Sequence, residues 1–288
     1  MSRRRARGRH LAVGAGARGD GERRPLVPRA QPRRSDVAPT DRRAQAEGLD
    51  SRVQRREDVH YATPQSFDGG VAPKCSEVGA PEQYPDRGVG PAKLLPILND
   101  AFAKGASGEA PRLHAARIEA ALLWFLYVSS LSEVMSCGAK PADCDSCWAY
   151  YSGGTARGAP LGLGAAVNAL APETHQRAYD ATLAVRCWRN LDNETGIAGN
   201  LSMQLQARTQ LDRALVRGLS MIVRQRVSEL ACADVDGKQA RLAFIRTLSP
   251  LLDREARARD PVRADRLLMD PVEVGPVTAA LDALFPCP

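Results

Sequence analysis

Aromatic side chains are scarce, at 5% of the 288 residues. No stretch alternates apolar and polar residues at strand period, so the material of a β-sandwich or barrel is missing. Histidine is sparser still. His10, His60, His114 and His175 are the only four, which leaves a histidine-dependent site few residues to draw on. Lys74, Lys93, Lys104, Lys140 and Lys238 are the only lysines among 40 basic residues. So general an arginine bias reads as coding composition rather than a face selected for bidentate phosphate contacts. No G-x-S-x-G elbow, phosphate-binding G-x-x-x-x-G-K-[ST] loop or H-E-x-x-H motif occurs. Gly158–Gly164 is glycine-rich, but it lacks the lysine and the preceding strand of a phosphate cradle. Long apolar runs are absent as well. Ala120–Leu131 is the most apolar stretch, and Glu119 and Glu133 bracket it at a length too short for a bilayer. No catalytic residue is assigned, and no membrane span is expected.

What is present is unevenly placed. The net charge of +7 lies in one end. Residues 1–60 hold sixteen arginines against eight acidic residues, a balance of +8, and residues 61–288 together carry −1. Arg3, Arg4, Arg5, Arg7 and Arg9 open the chain, and Gly14, Gly16, Pro25, Pro28, Pro32 and Pro39 punctuate it. With no apolar period to offset the entropy of ordering, residues 1–66 are expected to form a disordered arm. The basic cluster followed by Leu11–Ala17 resembles a marginal export signal. Upstream sequence translated from an early start is the favoured reading of it. The folded domain is then 67–288.

That domain reads as all-α, an irregular bundle of six to eight helices. Leu94, Leu98, Ala101 and Phe102 share helical spacing, with Gly105 as a stop. Pro111 sits at a first-turn position of a helix that runs to about Cys137. A short helix is expected over Asp143–Tyr151, ending at Gly153-Gly154, and a turn around Gly164–Leu170. A further helix covers about 172–191. The longest starts at Asn200, a good N-cap, and reaches about Ala231; Gly218 within it either permits a close crossing or costs stability. Asp236 opens another, and Asp260-Pro261 and Gly275-Pro276 each open a short one.

Seven cysteines are available. Cys144-Asp145-Ser146-Cys147 is a C-x-x-C with neither the βαβ setting of a redox site nor the remaining ligands of a zinc site. A disulfide is the leading expectation, Cys137 with Cys144 or Cys147, and Cys232 with Cys75 or Cys287, which would place the protein outside the cytoplasm. Cys187 is expected as a buried free thiol. Carboxylates are the other candidates. Glu119 and Glu133 share a leucine-rich helix face, and a buried carboxylate must be paired, protonated or metal-bound. Pairing with arginine from a neighbouring helix is the leading alternative. If a metal site exists, one of these glutamates joins His175 and Tyr179, which lie one turn apart on the 172–191 helix. Oxygen donors with one imidazole suit iron. Both glutamates cannot serve one ion, being fourteen residues or about 21 Å apart along the helix.

The segment Cys144–Gly154 carries Trp148 and an Ala-x-Tyr-x-Gly pattern at Ala149, Tyr151 and Gly153. It resembles a stretch of the iron-assimilating, high-CO2-inducible periplasmic proteins of algae. The resemblance spans about a dozen residues and implies an exported helical protein linked to iron, while transferring no binding residue. The leading functional expectation is a non-enzymatic, exported helical binding or interaction domain. The alternatives are an iron- or other metal-binding protein and a nucleic-acid binder acting through the basic arm. A protein partner or a metal ion is favoured over nucleic acid.

Overall fold

The computed structural model describes residues 48–63, 74–77, 79–189 and 200–286. Among these there is no strand, and twelve α-helices follow one another. They are α1 (Leu49–Gln54), α2 (Ala80–Gln83), α3 (Leu95–Ala106), α4 (Pro111–Ser136), α5 (Pro141–Ser152), α6 (Gly162–Leu170), α7 (Pro172–Arg189), α8 (Leu201–Ser228), α9 (Val235–Leu248), α10 (Pro250–Arg259), α11 (Pro261–Leu267) and α12 (Val274–Leu284). A π-turn over Gly90–Leu94 leads into α3, and a 3-10 turn over Glu229–Cys232 follows α8.

Proline sets much of this punctuation. Pro111, Pro141, Pro172, Pro250 and Pro261 are each the first residue of a helix, where the missing N–H costs nothing and the fixed φ suits the first turn. The number exceeds six to eight because α1 and α2 precede the expected helices, the expected turn at Gly164–Leu170 is the helix α6, and Pro250 opens α10 as a separate helix. Side-chain caps supply other starts. Asn200 Oδ1 accepts from the Met203 N–H at 3.1 Å, Asp234 Oδ1 from Gly237 at 2.6 Å and Asp260 Oδ1 from Arg263 at 3.0 Å. Asp234, not Asp236, therefore caps α9. Gly153 ends α5 in the left-handed region at φ 72°, a conformation that favours glycine.

The core forms around two long helices. α4 buries Leu123, Trp124, Phe125, Tyr127, Val128, Leu131 and Val134, and packs on α3, α5 and α9. By length and composition it is also the one helix among the described residues apolar enough to cross a membrane, yet most of its apolar stretch is covered by its neighbours. α8 turns Leu211, Leu215, Leu219 and Val223 inward and packs most extensively on α7. Gly218 is the point where α6 meets α8. A Cβ there would lie 2.6 Å from Val167 Cγ2, so the close-crossing reading of this glycine holds.

The boundary of the folded part lies earlier than expected. Residues 1–47, the larger share of the expected arm, fall outside the described residues, but residues 48–63 belong to the bundle. Val53 is fully buried against the core. Arg56 Nη1 pairs with Glu133 at 2.9 Å and Arg56 Nη2 donates to the Tyr150 hydroxyl at 2.6 Å. Val53, with Val59 half-buried against the core, and a set of polar groups do what an apolar period would ordinarily do, so no periodicity marked the segment.

Of the cysteines, Cys137 and Cys144 form a disulfide that ties the end of α4 to α5. Cys75 and Cys147 are buried free thiols, and Cys187 and Cys232 are exposed free thiols. Cys187 is thus not the buried thiol expected from its position, because the Val185 face of α7 points inward instead. The pairing of Cys232 with Cys75 is not formed, and Cys287 lies outside the described residues.

Candidate functional site

A groove of about 570 Å³ lies between α7 and α8, with Arg259 and the Phe285–Pro286 stretch after α12 completing its lining. The groove exists for a local reason. Both helices present alanine along it, Ala181 and Ala184 on α7 and Ala214 on α8, and side chains this short leave the interhelical space unfilled. Phe285 and Pro286 supply the remaining apolar wall, and the Arg259 guanidinium lies 5.3 Å from the Phe285 ring centroid.

The rim is charged. Among the described residues, Arg177, Arg213, Arg217 and Arg259 line the groove with a single carboxylate, Asp180. Asp180 is already neutralised by an ion pair with Arg157. Arg259 is held by Glu255 at 2.8 Å and donates to the Leu284 carbonyl at 2.6 Å. Among the described residues, Arg177 and Arg213 make neither a hydrogen bond nor an ion pair, and both are exposed. The groove therefore joins an apolar floor to a surplus of positive charge, in a chain whose residues 61–288 sum to −1.

A second polar cluster holds residues 56–61 in place. His60 Nδ1 meets Asp58 Oδ1 at 2.7 Å and its Nε2 meets Asp212 Oδ2 at 2.9 Å. The Tyr127 hydroxyl donates to Asp212 Oδ1 at 3.0 Å, and an Arg254 nitrogen stands 3.8 Å from Asp212 Oδ2. Burial alone would drive the proton off His60, but hydrogen bonds and charge from Asp212 and Asp58 outweigh it and raise the pKa to about 9. For Asp212, burial favours the neutral acid, and the His60 and Tyr127 hydrogen bonds overcome it and hold the carboxyl below its usual range. Tyr127 is pushed well up, by burial first and then by Asp212. An imidazolium between two carboxylates with both ring nitrogens occupied is a clasp, with no lone pair left for a substrate.

The residues singled out for metal binding are distributed differently. Glu119 pairs with Arg226 on α8 at 2.8 Å and Glu133 with Arg56 at 2.9 Å, so each is engaged as an ion-pair partner. His175 and Tyr179 do come together on α7, with ring centroids 5.9 Å apart. His175 is fully buried, however. Its Nε2 faces the Arg157 carbonyl at 3.0 Å, so that nitrogen carries the proton, and Nδ1 accepts from the Tyr151 hydroxyl at 2.9 Å. Tyr179 donates to the Thr155 carbonyl at 3.2 Å. Both imidazole nitrogens are consumed, and among the described residues no three His, Cys, Asp or Glu side chains gather as an ion's ligands.

Sequence reasoning missed both the groove and the clasp. The groove had a signal available in the i, i+4 pair Arg213 and Arg217 with alanine between them, matched by Arg177, Ala181 and Ala184 on α7. The clasp had none, because His60 and Asp212 are 152 residues apart. The chain matches no known family model, characterised protein or solved structure.

Proposed function

We propose that this protein is a helical binding domain, not an enzyme, and that it works in an oxidising compartment outside the cytoplasm. The observation that carries the reading is the preformed groove between α7 and α8, whose volume falls in the range of small-molecule sites and whose unpaired arginines await a charge. The described histidines support binding over acid–base chemistry. His60 and His175 have both ring nitrogens occupied, and His114 is buried with Nδ1 3.4 Å from an Arg117 nitrogen. The Cys137–Cys144 bridge supports an oxidising setting.

Thermal unfolding against a chemically mixed small-molecule collection tests this reading. Ala184→Phe places a ring in the groove from a half-buried position. Ligands of the groove raise the Tm of the wild type by mass action and leave the Ala184→Phe protein unmoved. If the two proteins respond alike to every compound, the groove is not the binding site.

A further inference from the structure

We infer that the groove takes an amphipathic organic anion, its carboxylate or phosphate-ester head held by Arg177 and Arg213 and its apolar body laid over Ala181, Ala184, Ala214 and Phe285. This rests on the binding reading above and adds the chemical class of the ligand.

Three features of the lining select that class. The first is charge. With Asp180 paired to Arg157 and Arg259 paired to Glu255, the guanidinium groups of Arg177 and Arg213 make no ion pair among the described residues. Arginine presents a planar fork that matches carboxylate and phosphate oxygens in pairs, so the complement is an oxyanion. The second is the floor. Three alanines and a phenyl ring offer no donor or acceptor, and an inorganic anion filling this volume would leave that surface wet. An apolar body on it releases the water and contributes in proportion to the area covered. The third is length. Thr174 and Ala184 both line the groove, and ten helical residues place them about 15 Å apart. An elongated tail fits this trough better than a compact ring system. The volume of about 570 Å³ matches that of a small molecule.

Calorimetric titration of the full chain decides the matter, with decyl phosphate below its micelle concentration, inorganic phosphate and decanol as probes. Decyl phosphate binds, and inorganic phosphate and decanol each bind at least about tenfold more weakly, since a charge-assisted contact alone is worth that factor. Arg177→Gln and Arg213→Gln each weaken decyl phosphate by about tenfold; both side chains are exposed, so the melting curve stays unchanged. Sedimentation with phosphatidylcholine vesicles containing phosphatidic acid separates two sources of the same chemistry. Arginine-dependent pelleting assigns a lipid held in a membrane, and binding of decyl phosphate without pelleting assigns a free amphiphile. Inorganic phosphate or decanol binding as tightly as decyl phosphate overturns the assigned class while the groove stands as a binding site. If no probe binds, the class is again overturned, and the response of Ala184→Phe to the broader collection then decides whether the binding reading falls with it.

Discussion

Replacing Gly90 by alanine tests whether residues 48–63 belong to the folded body. Gly90 opens the π-turn before α3, and its N–H donates to the Arg56 carbonyl at 2.9 Å. A Cβ on it would lie 2.0 Å from the Val53 carbonyl oxygen and 2.8 Å from that of Arg56. Both obstacles are backbone, so no side chain can rotate away. Ordinary contact begins at 3.4 Å, so the α1 segment must retreat by roughly 1.4 Å, the difference between that spacing and the clash. Such a retreat breaks the Gly90–Arg56 hydrogen bond and draws Val53 out of a site where it is fully buried. Losing a buried valine costs about 1.5–3 kcal/mol, and loosening the Arg56–Glu133 pair, with both side chains about 15% exposed, adds to that. The sum is about 3 kcal/mol, with a ceiling, because once the segment peels off entirely no further cost accrues. For a chain of this size the Tm should fall by about 6–12 °C. Gly275→Ala is the control, since nothing lies within 4 Å of its Cβ; it should be neutral or slightly stabilising. Circular dichroism melts give the Tm. Hydrogen exchange at Asp58, whose N–H donates to the Arg87 carbonyl at 2.8 Å, reports the local opening. A Gly90→Ala protein that melts within about 2 °C of the wild type, with Asp58 equally protected, would refute the docking of this segment.

The His60 clasp makes stability depend on pH on the alkaline side. A pKa raised from 6.5 to about 9 means the folded state binds a proton the unfolded chain releases, so the contribution is complete below pH 6.5 and lost as pH rises through 9. His60→Gln should flatten that slope, and a His60 resonance titrating near 6.5 in the native protein would rule the clasp out. Gly218→Ala forces Val167 aside and should cost about 1–3 kcal/mol; denaturant melts of the Gly218→Ala, Val167→Ala double variant should recover part of the loss. Thiol labelling should sort the cysteines, with Cys187 and Cys232 reacting in the native state and Cys75 and Cys147 only after unfolding. Burial shields the last two and pushes both thiols up, Cys75 to about 11 with Glu57 contributing, so rapid native alkylation of Cys147 would contradict its burial. Reducing the Cys137–Cys144 bridge, whose cysteines are 7 residues apart, should cost about 2.5 kcal/mol by loop-closure entropy, read as a lower denaturation midpoint.

Helix starts and stops were the most legible features of the sequence, because the groups that set them act locally. Pro111 and Pro172 fix φ, Asn200 satisfies its own first turn, and Gly153 takes the left-handed conformation at the end of α5. The Cys137–Cys144 bridge was legible for a similar reason, since a helix end and the next helix start leave few residues between them. The N-terminal boundary was not. Val53 is one buried residue in a stretch of arginines, and the contacts that hold Arg56 and His60 lie on α4, α5 and α8. Of the groove, the arginines and alanines are visible at helical spacing, but which faces of α7 and α8 meet depends on Leu211 and Leu215 filling the core on the other side. Asp180 as a spent carboxylate is still less visible, for its partner Arg157 sits in the loop after α5.

The reach of the clasp has a consequence for synthesis. His60 emerges from the ribosome 152 residues before Asp212, and Arg254 comes later still. At translation rates of about 5–20 residues per second the imidazole waits on the order of ten to thirty seconds for its second carboxylate. His60 is thus made early and clasped late. Val53 and Arg56 can dock as soon as Gly90, Glu133 and Tyr150 are made. Until Asp212 arrives, His60 is met by Asp58 alone, so closure of the clasp reports that the chain has been made at least as far as α8.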